Sequence, residues 1–492
     1  MKIKLLFIGF LGVVFTTMTY AQYTTPDTGV NWTLDDIATA SSTTVSISDS
    51  VYTLNEDLIV AVNDTLRIDT NLTFEIAPEV QVTVFGTFLV NANQVLITAV
   101  DQEAPYEGFR FEEFSEISIQ NATIEYGGGL RVLTETFSLD NCIIQNNVSG
   151  ATTSAVVQLS RGIIDITNNH FLNNRNPAIA SGSNQSVSGN FIGNIIEYNN
   201  YNNNNRPQIN MGPTRTDVPL IIANNIITGT DTYEQVGGIA ISNLLGGGEI
   251  LAVIEGNTIR DNRYGITITG ANAEVEIIDN IIEDNNIQGN PNLGGSGINL
   301  NSSSGGQNIR ITGNEIRRNL WGITFQGPVN ANLGDDENNP GGNVFSENGN
   351  GGNIYAISMM NNSDIIYLAK HNCWIEGEDV TLADAESVIF HQVDDASLGQ
   401  VIFDPVLCST ASTNNFELNN FTFYPNPTQN TIFFDNTPSF EVVQIVNMQG
   451  RKVFETNLSQ NNTEISFDLP QGIYFVKFQN KNNEVVKKLL VK

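Results

Sequence analysis

The chain has 492 residues and a formal net charge of −31 at pH 7, from 53 acidic and 22 basic side chains. This length allows two or three domains, and three cysteines are too few for a disulfide framework. An acidic surface of this kind disfavours nucleic acid and anionic lipid as partners, and it repels a polyuronate unless a cation such as calcium bridges the two.

The first 21 residues have the pattern of a secretory signal peptide. Lys2 and Lys4 precede an apolar run over 5–15, and small residues around Ala21 form a cleavage site before Gln22. A membrane anchor is the alternative, but the apolar run is short for a span. No other stretch has that length of apolar residues, so we expect no transmembrane segment in the mature chain.

Residues 22–57 are polar and are predicted to form an N-terminal cap region, with Trp32 and Ile37 as its apolar members. A cap is expected because the open end of a repeat structure exposes both core and strand edges. From Leu58 onward, short alternating strands separated by turns begin.

A repeat of the form Asn-x-[Ile/Phe]-x-x-Asn dominates the middle of the chain. Its apolar residues come in short bursts without helical periodicity, and its starts are 20 to 34 residues apart, which indicates a β-solenoid. We expect the first Asn of each copy at a bend, in a structural ladder whose amides stack about 4.8 Å apart. The ladder members are Asn141, Asn169, Asn194, Asn257, Asn280, Asn314 and Asn343, with weaker copies at Asn121 and Asn225, where Tyr126 and Thr230 replace the second Asn.

These repeats resemble the right-handed parallel β-helix repeat family over about residues 58–407. The resemblance implies an all-β solenoid domain over 58–408, with a closing segment that includes a short helix over 382–390. It implies little about activity, because this fold hosts lyases, hydrolases and adhesins. Cys373 and Cys408 flank the closing segment and could pair in an oxidising compartment, whereas Cys142 is predicted to be a packed thiol.

A linker over 409–420 leads to a second domain over 421–492, where alternating strands suggest a small immunoglobulin-like β-sandwich. Its motif residues, in chain order, are Pro425, Asn426, Pro427, Gly450, Gly472, Tyr474, Lys487 and Lys488. The set resembles the type A C-terminal sorting domain of the type IX secretion system. This resemblance implies the type IX machinery as a partner and places the protein at the outer surface of a Gram-negative bacterium or outside the cell. An ordinary carbohydrate-binding sandwich is the alternative.

Four basic side chains are candidate catalytic residues, because β-helix polysaccharide lyases use a basic residue to remove a proton beside a carboxylate. They are Arg260, Arg263, Arg317 and Arg318. When the repeats are aligned on their Asn, however, Arg260, Glu283 and Arg317 fall in one slot on successive coils. We therefore favour a surface ladder of alternating charge over a catalytic role.

Two further groups are candidate binding residues. Tyr264, Trp321 and Tyr355 share one slot, with Ser296 on the coil between, and they would stack on sugar rings if exposed or pack if buried; we favour packing. Carboxylates at Asp335, Asp336 and Glu337 are candidate calcium ligands, although a solvated acidic loop is the favoured interpretation.

The leading hypothesis is a secreted cell-surface protein that binds glycans or adheres, because the long solenoid and export signal come without a catalytic signature. The first alternative is a polysaccharide lyase or glycoside hydrolase whose catalytic residues are scattered over the coils. The second alternative is a structural surface protein. The ligand and the oligomeric state are open.

Overall fold

The structure is a computed structural model that describes residues 22–360, 365–408, 423–434, 440, 442–447, 451–458, 464–479 and 484–492, without the side chains of 484–486. The predicted signal peptide over 1–21, the linker over 409–420 and Gly450 lie outside the described residues. The chain divides into two compact units, Met1–Cys408 and Ser409–Lys492.

The first unit is a solenoid in which three short strands per coil pair in parallel with the equivalent strands of the next coil. Two of these sets of strands, the first and second stacks, belong to one continuous sheet, and the third stack forms another. Strands of the first stack are Gln22–Thr24, Asp57–Val60, Gln81–Val84, Gly108–Phe111, Leu130–Val132, Ile209–Met211, Ile239–Ser242, Ile266–Thr269, Ser296–Asn301, Trp321–Gln326, Ile357–Met360 and Ile389–Phe390.

The second stack lies one bend further along each coil. Its strands are Asn31–Trp32, Thr65–Ile68, Thr87–Val90, Glu116–Gln120, Thr136–Asp140, Leu220–Ala223, Ile250–Glu255, Ala273–Ile278, Gln307–Thr312, Ala331–Gly334, Ile366–Ala369 and Gln400–Ile402. On two coils the long strands Val157–Thr167 and Ile179–Ile192 serve both stacks without a break.

The third stack contains Val51–Leu54, Leu72–Ile76, Val95–Ala99, Ala122–Glu125, Ile143–Gln145, His170–Leu172, Ile195–Glu197, Ile226–Thr228, Thr258–Arg260, Ile281–Glu283, Glu315–Arg317 and Val344–Ser346. Val45–Ser48 joins its first member in antiparallel pairing. In all three stacks alternate side chains point inward, so that one apolar core runs from Leu34 to Val401. The short apolar bursts of the sequence are these inward positions, as the period of two requires.

The parallel sheet begins earlier than the sequence pattern indicates. Gln22–Thr24 already pairs with Asp57–Val60, inside the region predicted as a cap. The helix Leu34–Ala40 follows, and Thr33 and Asp36 form a capping box at its N-terminus. Leu34 and Ile37 are buried in the core, as an element that covers the end of a solenoid requires.

At the other end, the predicted helix over 382–390 is shorter than expected. It spans Leu382–Glu386, and Ile389–Phe390 instead pairs in parallel with Ile357–Met360. The helix stops because Ile389 is buried in the same inward column as Ile357. Cys373 and Cys408 form a disulfide, with Cα atoms 4.2 Å apart, and Cys142 is a buried free thiol.

The second unit has two antiparallel sheets around one core. Phe423–Tyr424, Thr431–Phe434 and Glu464–Ser466 form one sheet, and Val442–Asn447, Lys452–Asn457, Gly472–Gln479 and Glu484–Val491 form the other. The shared core includes Phe434, Val443 and Phe478. This arrangement is a β-sandwich, whereas its immunoglobulin-like character stays a prediction.

Candidate functional site

An amide column runs along the bend before the third stack. Each side-chain Nδ2 donates to the Oδ1 of the next Asn at 2.9–3.0 Å, and that Oδ1 also accepts the backbone N–H of the donor residue. The column consists of Asn169, Asn194, Asn225, Asn257, Asn280, Asn314, Asn343 and Asn372, all buried. The repeat pattern marks Asn225 as a weak copy and does not include Asn372, although both occupy full positions in the column.

A second amide column lies five residues further along each coil. It consists of Asn147, Asn174, Asn199, Gln208, Asn262, Asn285, Asn319 and Asn348, linked at 2.7–3.2 Å. The coil with Thr230 lacks an Asn here. Gln208 spans the gap, because its longer side chain accepts from Asn199 and donates to Asn262 two coils away.

Asn141 is the member of the predicted ladder that the structure does not place in the column. Cys142 holds that position instead, and its backbone N–H donates to Asn169 Oδ1 at 2.9 Å. Asn141 is exposed and has φ +53°. The left-handed residue is thus the one before the column, since Asn168, Gly193 and Gly313 also have positive φ. The column Asn residues lie at the bend, as expected, but the left-handed conformation belongs to the residue before each of them.

The four candidate basic residues are not assembled into one site. Register in the third stack places Arg260, Glu283 and Arg317 side by side on successive coils. Arg317 makes a two-pronged contact with Glu376 at 2.7 and 2.8 Å, and hydrogen bonding to Glu376 raises its pKa. Arg260 is exposed.

Arg318 is held in the same manner by Asp284 at 2.7 and 2.8 Å and by Glu283 at 2.7 Å. Hydrogen bonding to Asp284 raises the pKa of Arg318 above its usual range. An arginine with a raised pKa stays protonated, so Arg317 and Arg318 cannot accept a proton from a substrate.

The candidate calcium ligands point to different partners. Asp335 accepts the backbone N–H groups of Glu337, Asn338 and Asn339 at 2.6–3.0 Å, and these hydrogen bonds lower its pKa. Asp336 pairs with Lys370 and with His371. Backbone N–H groups and the Asn332 amide thus occupy the carboxylate of Asp335, and Lys370 and His371 occupy that of Asp336. Among the described residues no group of three His, Cys, Asp or Glu side chains is placed to hold a metal ion.

Two of the candidate aromatic residues, Tyr264 and Trp321, line an open cleft on the first stack, with a volume of about 410 Å³, whereas Tyr355 lies outside its lining. Trp321 stands one coil from Ser296, and its ring centroid is 4.7 Å from that of Tyr355. Tyr264, two coils before Trp321, forms another part of the wall. All three residues are half-buried and none belongs to the apolar core, although Trp321 and Tyr355 pack against each other and burial raises the pKa of Tyr264.

A loop over 287–295 contributes Pro291, Asn292, Leu293 and Gly294 to the cleft lining. Trp321 Nε1 donates to Pro291 O at 2.9 Å, and Arg263 Nη2 donates to Leu293 O. Arg263 also donates through Nη1 to Asn205, on a loop two coils away. Arg263 therefore ties two loops together, a role that its sequence context did not indicate.

The cleft floor is made of outward-facing polar side chains on adjacent strands. Thr267, Asn299 and Thr324 stand in register, and Thr324 Oγ1 donates to Asn299 Oδ1 at 2.8 Å. Ser296 Oγ lies 3.0 Å from Thr324 Oγ1. Thr267, Asn299 and Thr324 were not among the predicted site residues, although they alternate with the inward column of Ile266, Ile298 and Ile323 and were recognisable from that register.

The histidines and the free thiol lie elsewhere. His391 is buried, with Nδ1 accepting the Val401 N–H at 3.0 Å and Nε2 2.9 Å from Glu386. His170 Nε2 lies 3.1 Å from Glu197 on the third stack. Burial raises the pKa of the Cys142 thiol to about 12, which makes it a packed and unreactive group, as predicted.

The strand pairing defines the protein as a parallel β-solenoid, and comparisons with known proteins extend this description. Residues 422–492 match the secretion system C-terminal sorting domain. The crystal structure of a periplasmic alginate epimerase is similar over 76% of this chain and 83% of that chain, at 13% identity and a TM-score of 0.37. No curated protein matches the chain. The parallel strand pairing of the first unit and the match over residues 422–492 together describe a secreted parallel β-solenoid protein with a C-terminal sorting domain of the type IX system.

Within the sorting domain, two of the motif residues predicted from the sequence, Asn426 and Lys488, contact each other. Asn426 Nδ2 donates to Lys488 O at 2.8 Å, and its Oδ1 accepts the Leu490 N–H at 2.9 Å. Tyr474 is buried and donates to Pro470 O. The motif around Asn426 thus docks on the terminal strand Glu484–Val491. No helix among the described residues is long and apolar enough to cross a membrane.

Proposed function

We propose that this protein binds a glycan at the cell surface through the cleft beside Trp321. The observation that carries this proposal is the pairing of partly exposed aromatic rings with a floor of hydroxyl and amide groups. A sugar presents apolar C–H faces and polar hydroxyl edges, so it can stack on Trp321 while it exchanges hydrogen bonds with Thr267 and Asn299.

The charge of the cleft supports a neutral or weakly charged glycan. Arg263 is the one charged side chain among the described lining residues, and its guanidinium already donates to Asn205 and Leu293. The acidic surface elsewhere disfavours long acidic chains by repulsion. Calcium is not required by this arrangement.

Binding is favoured over cleavage because of the residue types in the cleft. The described lining residues include no Asp, Glu, His or Lys, and the titratable ones are Arg263 and Tyr264. Burial raises the pKa of Tyr264 to about 12, which makes it a poor base at neutral pH. Glycosidic cleavage ordinarily uses a pair of carboxylates, which the described lining does not provide.

The test is retention of the purified solenoid-containing chain on neutral and acidic polysaccharides, with and without calcium, together with product analysis. Trp321→Ala should weaken retention about tenfold through the lost stacking contact, whereas Trp321→Phe should retain part of it. Arg260→Gln, outside the cleft, is the matched control. Unsaturated uronates or new reducing ends would instead support the lyase or hydrolase alternative. Absence of both retention and cleavage would leave the structural alternative.

For the cellular location, we propose that the type IX machinery of a Gram-negative bacterium exports this protein, which is then displayed at the outer surface or released. The sorting domain over residues 422–492 supports this proposal. A chain that lacks residues 421–492 should accumulate in the periplasm. A conservative substitution such as Lys452→Arg should not change export. Surface display of the truncated chain would contradict the proposed route.

A further inference from the structure

A row of bulky residues continues beyond the cleft along the edge between the third and first stacks. Tyr264, Trp321 and Tyr355 share one position, two residues before the inward Ile of the first stack, and Ser296 holds it on the coil between. The longer connections into the first stack on the other coils contain Tyr201, Tyr233 and Leu293, so the row covers six successive coils. Strands in a sheet are about 4.8 Å apart, so five steps extend about 24 Å along the solenoid axis. The cleft occupies only the last part of this row.

The distal end of the row forms an aromatic platform. The rings of Tyr201 and Tyr233 are 6.5 Å apart between centroids, and Tyr201 is 38% exposed. Exposed amides at Asn202 and Asn205 lie on the same loop as Tyr201. This combination of ring faces and amide edges repeats the chemistry of the cleft.

The platform and the cleft are physically connected. Asn203 accepts the backbone N–H of Gln235 at 2.9 Å, which fixes the Tyr201 loop against the turn that carries Tyr233. Arg263 donates to Asn205 on that loop and to Leu293 at the cleft. The ring of Tyr264 lies directly over Gly237, where an added Cβ would be 2.2 Å from the ring. Tyr264 thus lies between the platform and the Trp321 end of the cleft.

We propose that this row is one continuous binding track for an extended linear glycan, in which Tyr201 and Tyr233 bind sugar units distant from those held at Trp321. The proposal rests on the proposed glycan-binding function and adds that the ligand is a polymer chain lying parallel to the solenoid axis. A short sugar reaches one end of the track, whereas a long chain contacts both.

The experiment compares chain lengths with defined probes. Cello-, xylo- and manno-oligosaccharides, each as a disaccharide and as an octasaccharide, are titrated into the full secreted chain by calorimetry. The octasaccharide that binds should do so at least about tenfold more tightly than its disaccharide. The double variant Tyr201→Ala/Tyr233→Ala should weaken octasaccharide binding about tenfold and leave disaccharide binding at the cleft unchanged.

Trp321→Ala should weaken both probes, and Phe85→Ala, which removes a ring 38% exposed on an earlier coil, should change neither. Thermal melts verify that each variant is folded, and Tyr201→Phe/Tyr233→Phe, which keeps the rings, should bind like the parent. Equal affinity for both lengths, or an unchanged octasaccharide affinity in the double Ala variant, would overturn the track while leaving the cleft intact. Failure of the parent chain to bind any probe would instead overturn the glycan-binding function itself.

Discussion

The side chain of Asn280 donates to Asn314 Oδ1 at 2.9 Å, and the same oxygen accepts the Asn280 backbone N–H at 3.0 Å. One carboxamide thus pairs with two donors of the preceding coil, as a backbone carbonyl would. Asn280 in turn accepts the two equivalent donors from Asn257 and donates to Ile254 O. Each column member satisfies buried backbone groups that the tight bend leaves without sheet partners.

Substitution of a column member should therefore destabilise the solenoid. Asn280→Ala leaves several buried groups unpaired, and we expect a loss of about 1–3 kcal/mol in the free energy of unfolding. The measurement is denaturant unfolding followed by circular dichroism. Asn141→Gly is the control, because Asn141 is exposed and Gly accepts its positive φ. An equal loss of unfolding free energy in both variants would contradict the distinction between buried column residues and exposed residues such as Asn141.

Asp64 should make the N-terminal coil sensitive to acid. It is buried, and it accepts the backbone N–H groups of Asp27, Thr28, Gly29 and Val30 at 2.8–3.1 Å. Burial raises the pKa of Asp64, but hydrogen bonds from Thr25 and from this loop outweigh it, so the net pKa is lowered.

A lowered pKa in the folded state means that Asp64 stabilises the fold above the unfolded value, about 3.9, and that this contribution is lost as the pH falls through the folded pKa. Asp64→Asn should thus be less stable than the parent at pH 7, and the difference should narrow below about pH 4. Unfolding midpoints measured across this range provide the test. A difference that stays constant with pH would show that the carboxylate charge is not involved.

The disulfide between Cys373 and Cys408 should stabilise the closing segment. It joins residues 35 apart in sequence. In the chain-entropy description, a loop of this length contributes about 3–4 kcal/mol. Dithiothreitol should lower the melting temperature of the parent and of Cys142→Ala, but should not change that of Cys373→Ser/Cys408→Ser. If the double serine variant has the same melting temperature as the oxidised parent, the disulfide has no stabilising role.

The contact between Arg317 and Glu376 should act on stability and not on binding. Their side chains are 17% and 19% exposed, so loss of Arg317 leaves a largely buried carboxylate without its partner. Arg317→Met should cost about 1–3 kcal/mol, and the double variant Arg317→Met/Glu376→Leu should recover part of that loss. Glycan retention should equal that of the parent in both. Loss of retention with unchanged stability would return Arg317 to the catalytic candidates.

Local signals in the sequence were sufficient for the architecture. The Asn repeat with an apolar residue two positions later indicated the coils, because every coil must bury one side chain between two bends. The motifs around Asn426 and Tyr474 indicated the sorting domain, because each lies within a short contiguous segment. The disulfide between Cys373 and Cys408 was one of the alternatives that spacing left open.

Register and loop contacts, in contrast, were decided by the tertiary structure. Asn141 fits the repeat in sequence, and only strand pairing places its neighbour Cys142 in the column. Gln208 replaces an absent Asn from outside the repeat pattern, because its side chain reaches across a coil.

The sequence by itself determined that this chain is a solenoid with a sorting domain, since short-range periodicity and contiguous motifs specify both. Only the tertiary structure decided that Trp321 and Tyr264 line a cleft with Thr267 and Asn299. The physical reason is that a cleft wall depends on how loops of unequal length fold back over neighbouring coils. Arg263 shows this most directly, because its partners Asn205 and Leu293 lie on coils that are not adjacent to each other.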